Sequence, residues 1–404
     1  MDRKLNCFLN ARTAGTLGLG NPKMLSLNLG LFGGSRAVDG ASVSVQGLGK
    51  RYGAVRAVKA LGIEVRSGEF LSLLGPSGSG KTTLLMMIAG FEMPTEGAIR
   101  IGDRDVTYVA PNRRNIGMVF QRYALFPHMT VADNVAFPLR MRKVVKAEIA
   151  RRVADALALV QLQDFGKRLP SELSGGQQQR VAVARALVFE PPVLLMDEPL
   201  GALDKKLREQ MQIEIKRLQR RLGVTVIYVT HDQEEALTMS DRIAVMRNGS
   251  LEQIGSPIAL YDNPATPFVA DFVGKTNFLE AVCHSCNGTG LEFGLGQSGF
   301  IHLKECPPTL PSPPRPGDKI RLAVRPEQIR ILRLGDSDRP PLNGVVEAII
   351  FVGSFRTFLV RLAGGELVHV QAGTDHGMAY PQEGERVGLT IPSQAVQVFP
   401  DRRQ

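Results

Sequence analysis

The sequence predicts an α/β fold: a mainly parallel sheet with helices packed on it, a helical insertion, and a small all-β domain behind. Three observations lead there. A glycine-rich stretch, Gly75 to Thr83, lies between an apolar run and a helical one. Short apolar runs alternate with helical patterns from Ser42 to about Gly274, as strands buried on both faces do. After about residue 276 the helical patterns give way to prolines, turn pairs and short β-rich runs.

Residues 1–41 come first, rich in Gly, Leu, Asn and Ser without a clear period. They are expected to be a poorly ordered extension, and Met24 offers an alternative start. Arg3 and Lys4 are followed by Asn6, Asn10 and Arg12, which break up any apolar core of a secretory leader. No apolar run approaches the roughly 18 residues a membrane span needs. Four cysteines, Cys7, Cys283, Cys286 and Cys306, are too few and too scattered for a disulfide framework. The net charge of +10 is spread along the chain. Lys205, Lys206, Arg208, Lys216, Arg217, Arg220 and Arg221 share one helical stretch with Glu209 and Glu214. That pattern suits a solvated helix face better than a nucleic-acid patch.

The first strand with chemistry attached is Phe70-Leu71-Ser72-Leu73-Leu74. Gly75-Pro76-Ser77-Gly78-Ser79-Gly80-Lys81-Thr82-Thr83 follows it and matches G-x-x-x-x-G-K-[ST]. Its glycines let backbone N–H groups curl around a phosphate chain, and the helix opening near Lys81 points its dipole at the same anion. In such a loop the lysine reaches the β- and γ-phosphates and the threonine hydroxyl goes to Mg²⁺. Asn115–Phe120 reads as the next strand. Residues 122–172 carry charge and helical period, notably over 145–162, and no strand; they read as a helical insertion. A further helix is expected over 175–189, opening on Ser174-Gly175-Gly176-Gln177. That opening is a second anion-binding helix start, or simple N-capping by Ser174.

Val193-Leu194-Leu195-Met196 ends in Asp197-Glu198, at the carboxyl end of a strand where α/β sheets face their ligands. Asp197 is placed for Mg²⁺, and Glu198 for orienting or deprotonating a water attacking a γ-phosphate. Taken alone, the pair is equally a strand ending in an acidic turn. Helix 203–222, strand Val224–Thr230 and helix 233–240 complete the pattern. In the tail, β-rich runs at Lys319–Val324, Gly344–Phe351, Phe355–Leu362, Leu367–Val370 and Arg386–Ile391 surround the six prolines of residues 305–317. They read as a small barrel-like β domain. Phe293, Phe300, Phe351, Phe355 and Phe358 are mostly expected in its core, which argues against a nucleic-acid partner. Cys283-His284-Ser285-Cys286 reads as ordinary thiols in a hairpin rather than half a zinc site, for want of a second ligand pair.

Leu173-Ser174-Gly175-Gly176-Gln177, lying between the phosphate loop and the Asp197-Glu198 strand, resembles the signature of ABC ATPase cassettes. The resemblance covers about residues 42–275 with each motif in order. It implies ATP and Mg²⁺ as ligands. Tyr52, in Lys50-Arg51-Tyr52-Gly53, matches the aromatic that stacks on adenine. Gln121 matches the glutamine that touches Mg²⁺ and reports to the membrane subunits. Ser174, Gly176 and Gln177 match residues that cap the γ-phosphate of ATP bound to a second protomer. Asp204 matches the D-loop aspartate, and His231, in Val229-Thr230-His231-Asp232, the switch histidine. Lys81, Gln121, Glu198 and His231 are then the catalytic set, and Thr82, Gln121 and Asp197 the metal set. A homodimer, two transmembrane permease subunits and, indirectly, a periplasmic solute-binding protein are the implied partners. The implied location is the cytoplasmic face of the inner membrane.

Gln121 through Val131 and Val324-Arg325-Pro326-Glu327 are similar to solute importers that carry a transport-associated OB domain. Phe278-Leu279-Glu280 and Val224–Met246 look most like the spermidine/putrescine import ATPases. Ferric-iron, aminoethylphosphonate and sugar import ATPases share most of these features. The expected organisation is an extension at 1–41, a cassette at 42–276 with its helical part at about 122–172, and an OB-like domain at 277–404.

Overall fold

The computed structural model describes residues 40–121, 123–201, 203–287, 290–305, 310, 312–334, 342–374 and 380–401. The expected extension at 1–41 falls almost wholly outside them, as do Cys306, Gly288 and several of the tail prolines.

Two sheets build the first half. One is antiparallel, in the order β2-β1-β4-β5, from β1 (Val43–Tyr52), β2 (Val55–Val65), β4 (Glu96–Ile101) and β5 (Arg104–Asp105). It has no counterpart in the sequence reading. Between its strands run β3 (Phe70–Leu74) and helix α1 (Lys81–Ala89). The second sheet adds β6 (Ile116–Val119), β7 (Val193–Asp197), β8 (Thr225–Thr230), β9 (Arg242–Arg247) and β10 (Ser250–Gly255). Its order is β10-β9-β3-β8-β7-β6. Every pair in it is parallel except β9 with β10. β3, β7 and β8 are buried at every residue, which is why they read as continuous apolar runs.

Register fixes the site. Leu74 pairs with Thr230, Asp197 with Val229, and Val119 with Met196. The carboxyl ends of four strands are therefore nearly flush, and the loops leaving them share one edge. Helix α1 packs beneath that edge through Leu84, Leu85, Met87 and Ile88. Its far end is held by Arg114, buried to 3% exposure, whose guanidinium donates to the carbonyls of Met87, Ile88, Thr107 and Val109. The Met87 and Ile88 contacts serve carbonyls in the last turn of the helix, where helical partners run out.

The stretch after Gln121 is helical as expected. α2 (Val131–Met141) and α3 (Lys146–Leu159) pack with α4 (Gly175–Leu187) around Val135, Leu139, Val153, Leu157 and Val181. α5 (Lys205–Leu222) and α6 (Gln233–Met239) pack with α4 on the face of β8 opposite α1, and α7 (Pro257–Asp262) and α8 (Pro267–Phe272) follow β10. The basic face of α5 is partly tied down. Lys216 pairs with Asp241 at 2.7 Å, and Arg208 with Asp232 at 3.1 Å.

The tail is two five-stranded antiparallel sheets. One, in the order β13-β12-β11-β14-β20, contains β11 (Asn277–Asn287), β12 (Gly290–Gly294), β13 (Phe300–Leu303), β14 (Lys319–Val324) and β20 (Val396–Pro400). The other, β15-β19-β16-β17-β18, contains β15 (Arg330–Arg333), β16 (Leu342–Phe351), β17 (Phe355–Leu362), β18 (Leu367–Gly373) and β19 (Arg386–Thr390). They share one core, with Leu322, Phe293 and Val398 facing Phe358, Val370 and Leu389. Among the five phenylalanines expected there, Phe293 and Phe358 are fully buried, but Phe300 is 41% and Phe351 63% exposed. Phe300 opens an edge strand and Phe351 ends a hairpin arm, so neither is covered from above. Cys283 is buried and Cys286 half-buried on β11, both as free thiols.

Candidate nucleotide site

The loop from Gly75 to Gly80 needs its glycines for two distinct reasons. A Cβ on Gly75 would lie 2.3 Å from the Met246 carbonyl oxygen. Gly80 has φ +97°, and a Cβ there would come within 2.5 Å of the Ala57 oxygen. Gly78, at φ +78°, faces open space and needs only the backbone freedom. Gly80 is the N-cap of α1, with no side-chain cap and no acidic residue in the first turn. The helix start is a positive pole with no acidic residue of its own.

Lys81 stands in that pole, 6% exposed. Its ammonium donates to the carbonyls of Gly75 at 2.7 Å and Pro76 at 3.0 Å, its own loop serving as acceptor. Burial lowers its pKa, against the pull of the Glu198 and Asp197 carboxylates. Thr82 donates its hydroxyl to Asp197 Oδ1 at 3.1 Å. Asp197 is 6% exposed; burial raises its pKa, with the Glu198 charge adding and Thr82 and Lys81 opposing.

Glu198 adopts φ +44°, a conformation that costs a residue with a side chain about 1–3 kcal/mol. It is over-determined there. Its N–H donates to the Val229 carbonyl at 2.9 Å. Its Oε2 accepts from Gln121 Nε2 at 3.0 Å and lies 3.2 Å from His231 Nδ1. Three loops from three strands thus meet on one carboxylate oxygen.

Of the residues read from the sequence, the fold brings Lys81, Thr82, Asp197, Glu198, Gln121 and His231 together. Tyr52 ends β1, 47% exposed, with Thr83 and Glu92 beside its hydroxyl and the Lys50 ammonium 4.9 Å from its ring centre. Ser174 and Gln177 are not among them. They cap α4 reciprocally, Ser174 Oγ accepting from Gln177 N–H at 3.4 Å and Gln177 Oε1 from Ser174 N–H at 2.9 Å. No hydrogen bond among the described residues carries them to Lys81 or Glu198. Gly176 is buried where a Cβ would meet a Leu207 methyl at 2.4 Å, so α4 rests closely on α5. Asp204 caps α5 by accepting from Leu207 N–H at 3.0 Å. Sequence reading missed the roles of Arg208, Asp232 and Glu235, which line one cleft with His231; Arg208 read as part of a solvated helix face.

A family model described as ABC transporter matches residues 58–201, and one described as TOBE domain matches residues 322–399. The spermidine/putrescine import ATP-binding protein PotA of Acidothermus cellulolyticus is 53% identical over 342 residues, 84% of this chain and 88% of that protein. Its namesake in Rubrobacter xylanophilus is 48% identical over 363 residues, 90% and 92% of the two chains. That in Thermobifida fusca is 47% identical over 367 residues, 89% and 94%.

The chain belongs to the ABC transporter ATPases.

A solved dimeric structure of a bacterial ABC transporter cassette is 36% identical, with a TM-score of 0.50, covering 53% of this chain and 98% of that one. The cassette is accordingly an ATP-binding ATPase of an import system, with an OB-like transport-associated domain behind it. No helix among the described residues is long and apolar enough to cross a membrane. As an ABC import ATPase it is peripheral to the membrane and works against permease subunits.

Proposed function

We propose that this chain powers polyamine import, hydrolysing ATP at a site completed by a second copy of itself. The observation that carries the catalytic part is the convergence of Gln121 and His231 on Glu198, next to the Thr82–Asp197 pair. Glu198 is the general base, held in a strained backbone by its N–H contact and its two side-chain partners. It takes the proton of the attacking water, and His231 positions the γ-phosphate. Lys81 exchanges its loop carbonyls for phosphate oxygens, a gain for an ammonium now resting on neutral acceptors. The uncapped start of α1 takes the same anion.

The donor set fits magnesium. A hydroxyl, a carboxamide oxygen and one carboxylate are hard oxygen ligands, few enough to leave room for waters and phosphates. Thr82, Gln121 and Asp197 would hold the ion, which neutralises charge on the phosphates when bound. Among the described residues no group of three His, Cys, Asp or Glu has metal-holding geometry. That accords with an ion bound mainly through substrate.

Ser174, Gly176 and Gln177 act in trans, capping ATP held by the partner's phosphate loop. Ser174 and Gly175 are exposed at the start of α4, free to face another chain. The nucleotide site belongs to residues 42–276, and residues 277–404 form the transport-associated domain. The polyamine cargo rests on the relatives' names. Two permease subunits and a periplasmic binding protein complete the transporter.

The test is Glu198→Gln in the full chain. The amide keeps the shape and loses the base. ATP should bind and hydrolysis should fall by about 10²–10⁴-fold, the range for a lost general base, with a long-lived ATP dimer on sizing chromatography. Turnover near the wild-type rate removes Glu198 from this role.

A further inference from the structure

Arg208 joins two loops that a single active site needs in step. Its Nη2 donates to the Leu203 carbonyl at 3.0 Å, in the turn that ends at Asp204. Its Nη1 donates to Asp232 Oδ2 at 3.1 Å, and its Nε lies 3.8 Å from Glu235 Oε1. Asp232 follows His231 directly. We propose that Arg208 is a positioning residue: its bridge from the Leu203 carbonyl to Asp232 sets where His231 stands relative to Glu198.

The segment on either side of His231 is otherwise well fixed. Asp232 Oδ1 accepts from the N–H groups of Glu234 at 2.8 Å and Glu235 at 3.2 Å, capping α6. Asp232 N–H donates to Thr230 Oγ1 at 2.9 Å. Thr230 Oγ1 and the Tyr228 hydroxyl each donate to Glu235 Oε2 at 2.7 Å. Residues 230 and 232 are thus clamped to the start of α6. The imidazole between them is 61% exposed, with Nδ1 3.2 Å from Glu198 Oε2. Its position follows from the backbone beneath it, and Arg208 is the link from that backbone to the Leu203 carbonyl.

Charge explains why arginine stands there. Glu235 is 2% exposed and its carboxylate is disfavoured by burial. A cation alongside it and Asp232 offsets that cost. The guanidinium serves the two partners from separate nitrogens, Nη2 to the carbonyl on one loop and Nη1 to the carboxylate on another, a planar fork that a lysine's single ammonium does not have. Gly201 and Arg208 line a small polar cleft together with Glu198 and His231, so the bridge borders the reacting groups without joining them. A shift of the turn against the body of the cassette is passed to His231 through two hydrogen bonds. The inference rests on reading His231 as the γ-phosphate contact.

Two conservative variants test it. Arg208→Lys keeps the charge but cannot reach both loops. Asp232→Asn keeps the Oδ1 cap of α6 and loses the ion pair. Each is measured in the full chain for ATP affinity, thermal midpoint and turnover, with and without His231→Ala. Both should lower kcat by about tenfold, within the coupling seen between neighbouring residues, while ATP affinity stays within about twofold. In the His231→Ala background the loss from either variant should shrink below about twofold, because the group they position is gone. An equal loss in both backgrounds, or none in either variant while His231→Ala is impaired, overturns the positioning role. Full turnover by His231→Ala alone overturns the underlying reading of the site. A lower thermal midpoint with unchanged kcat assigns Arg208 to stability only. Asp232→Asn keeps the test open should Arg208→Lys fold poorly.

Discussion

Asn277 holds the backbone of His369 from both directions. Its Nδ2 donates to the His369 carbonyl and its Oδ1 accepts the His369 N–H, each at 2.8 Å. Asn277 opens β11, 5% exposed, while His369 lies in β18 of the other tail sheet. One carboxamide therefore pairs both backbone groups of a single residue on β18, an edge strand of its sheet. Asn277→Ala should destabilise the chain by about 1–3 kcal/mol, the penalty of a buried polar group left unsatisfied. Asn277→Asp should also cost stability, since it keeps the acceptor and loses the donor. Denaturant melts check this, and an alanine variant with an unchanged midpoint contradicts it.

A second link joins the cassette to the tail. Arg325 leaves β14 and donates to the carbonyls of Ala270 at 2.7 Å, Tyr261 at 3.0 Å and Lys275 at 3.2 Å. Its guanidinium lies 4.1 Å from the centre of the Tyr261 ring, and the Tyr261 hydroxyl donates to Glu327. Burial, then the Glu327 carboxylate, pushes the Tyr261 pKa up to about 12. The folded pKa lies above the ordinary tyrosine value of about 10. The stabilisation is therefore complete below about pH 10 and is lost as pH rises through about 12. Tyr261→Phe should show a flatter loss of stability over that window. Its tyrosinate absorbance should lack one late-titrating group. Identical profiles for the two proteins would show that Tyr261 titrates freely.

The strands that position the site were legible because burial on both faces writes them as unbroken apolar runs. Leu71-Ser72-Leu73-Leu74 and Val193-Leu194-Leu195-Met196 point directly at Gly75 and Asp197. The antiparallel sheet was not legible. β1 pairs with β2 through three register shifts, and Lys50, Arg51, Arg56 and Lys59 interrupt its apolar alternation, so no period of two persists. Phe351 misled for a related reason: an aromatic in a β-rich run reads as core, but pairing order alone decides that it ends an uncovered arm. The meeting of Gln121 with Glu198, 77 positions apart, depends on parallel register, which motif order implies but cannot specify. Arg208 and Glu235 were hidden because a charge on a helix reads as solvated until its long-range partner is known.

Ser174→Arg probes the second copy. It places a cation where the partner's γ-phosphate is expected, while its own phosphate loop is untouched. Alone, the variant should bind ATP and fail to hydrolyse it. Mixed with a Lys81→Ala chain, it should form heterodimers with one doubly broken and one intact composite site. Turnover should then recover to a fraction of wild type that rises with mixing toward equal amounts. No recovery at any ratio, with mixed dimers present by sizing, would mean that the two sites do not interlock.

The cargo is the reading furthest from the residues themselves, because it rests on the relatives' names and not on a residue of the site. A polyamine would be recognised by carboxylates and aromatic faces in the binding protein, and the +10 charge of this chain bears on neither. What argues for it is identity of 47–53% to three import ATPases named for spermidine and putrescine, over 84–90% of the chain. The measurement is ATP-dependent uptake of labelled putrescine and spermidine into vesicles carrying the whole transporter. Glu198→Gln, expected to be slow in hydrolysis, supplies the background. Uptake of both polyamines above that background is expected. Uptake of ferric iron, a phosphonate or a sugar, with no response to either polyamine, would replace the cargo and leave the ATPase unaltered.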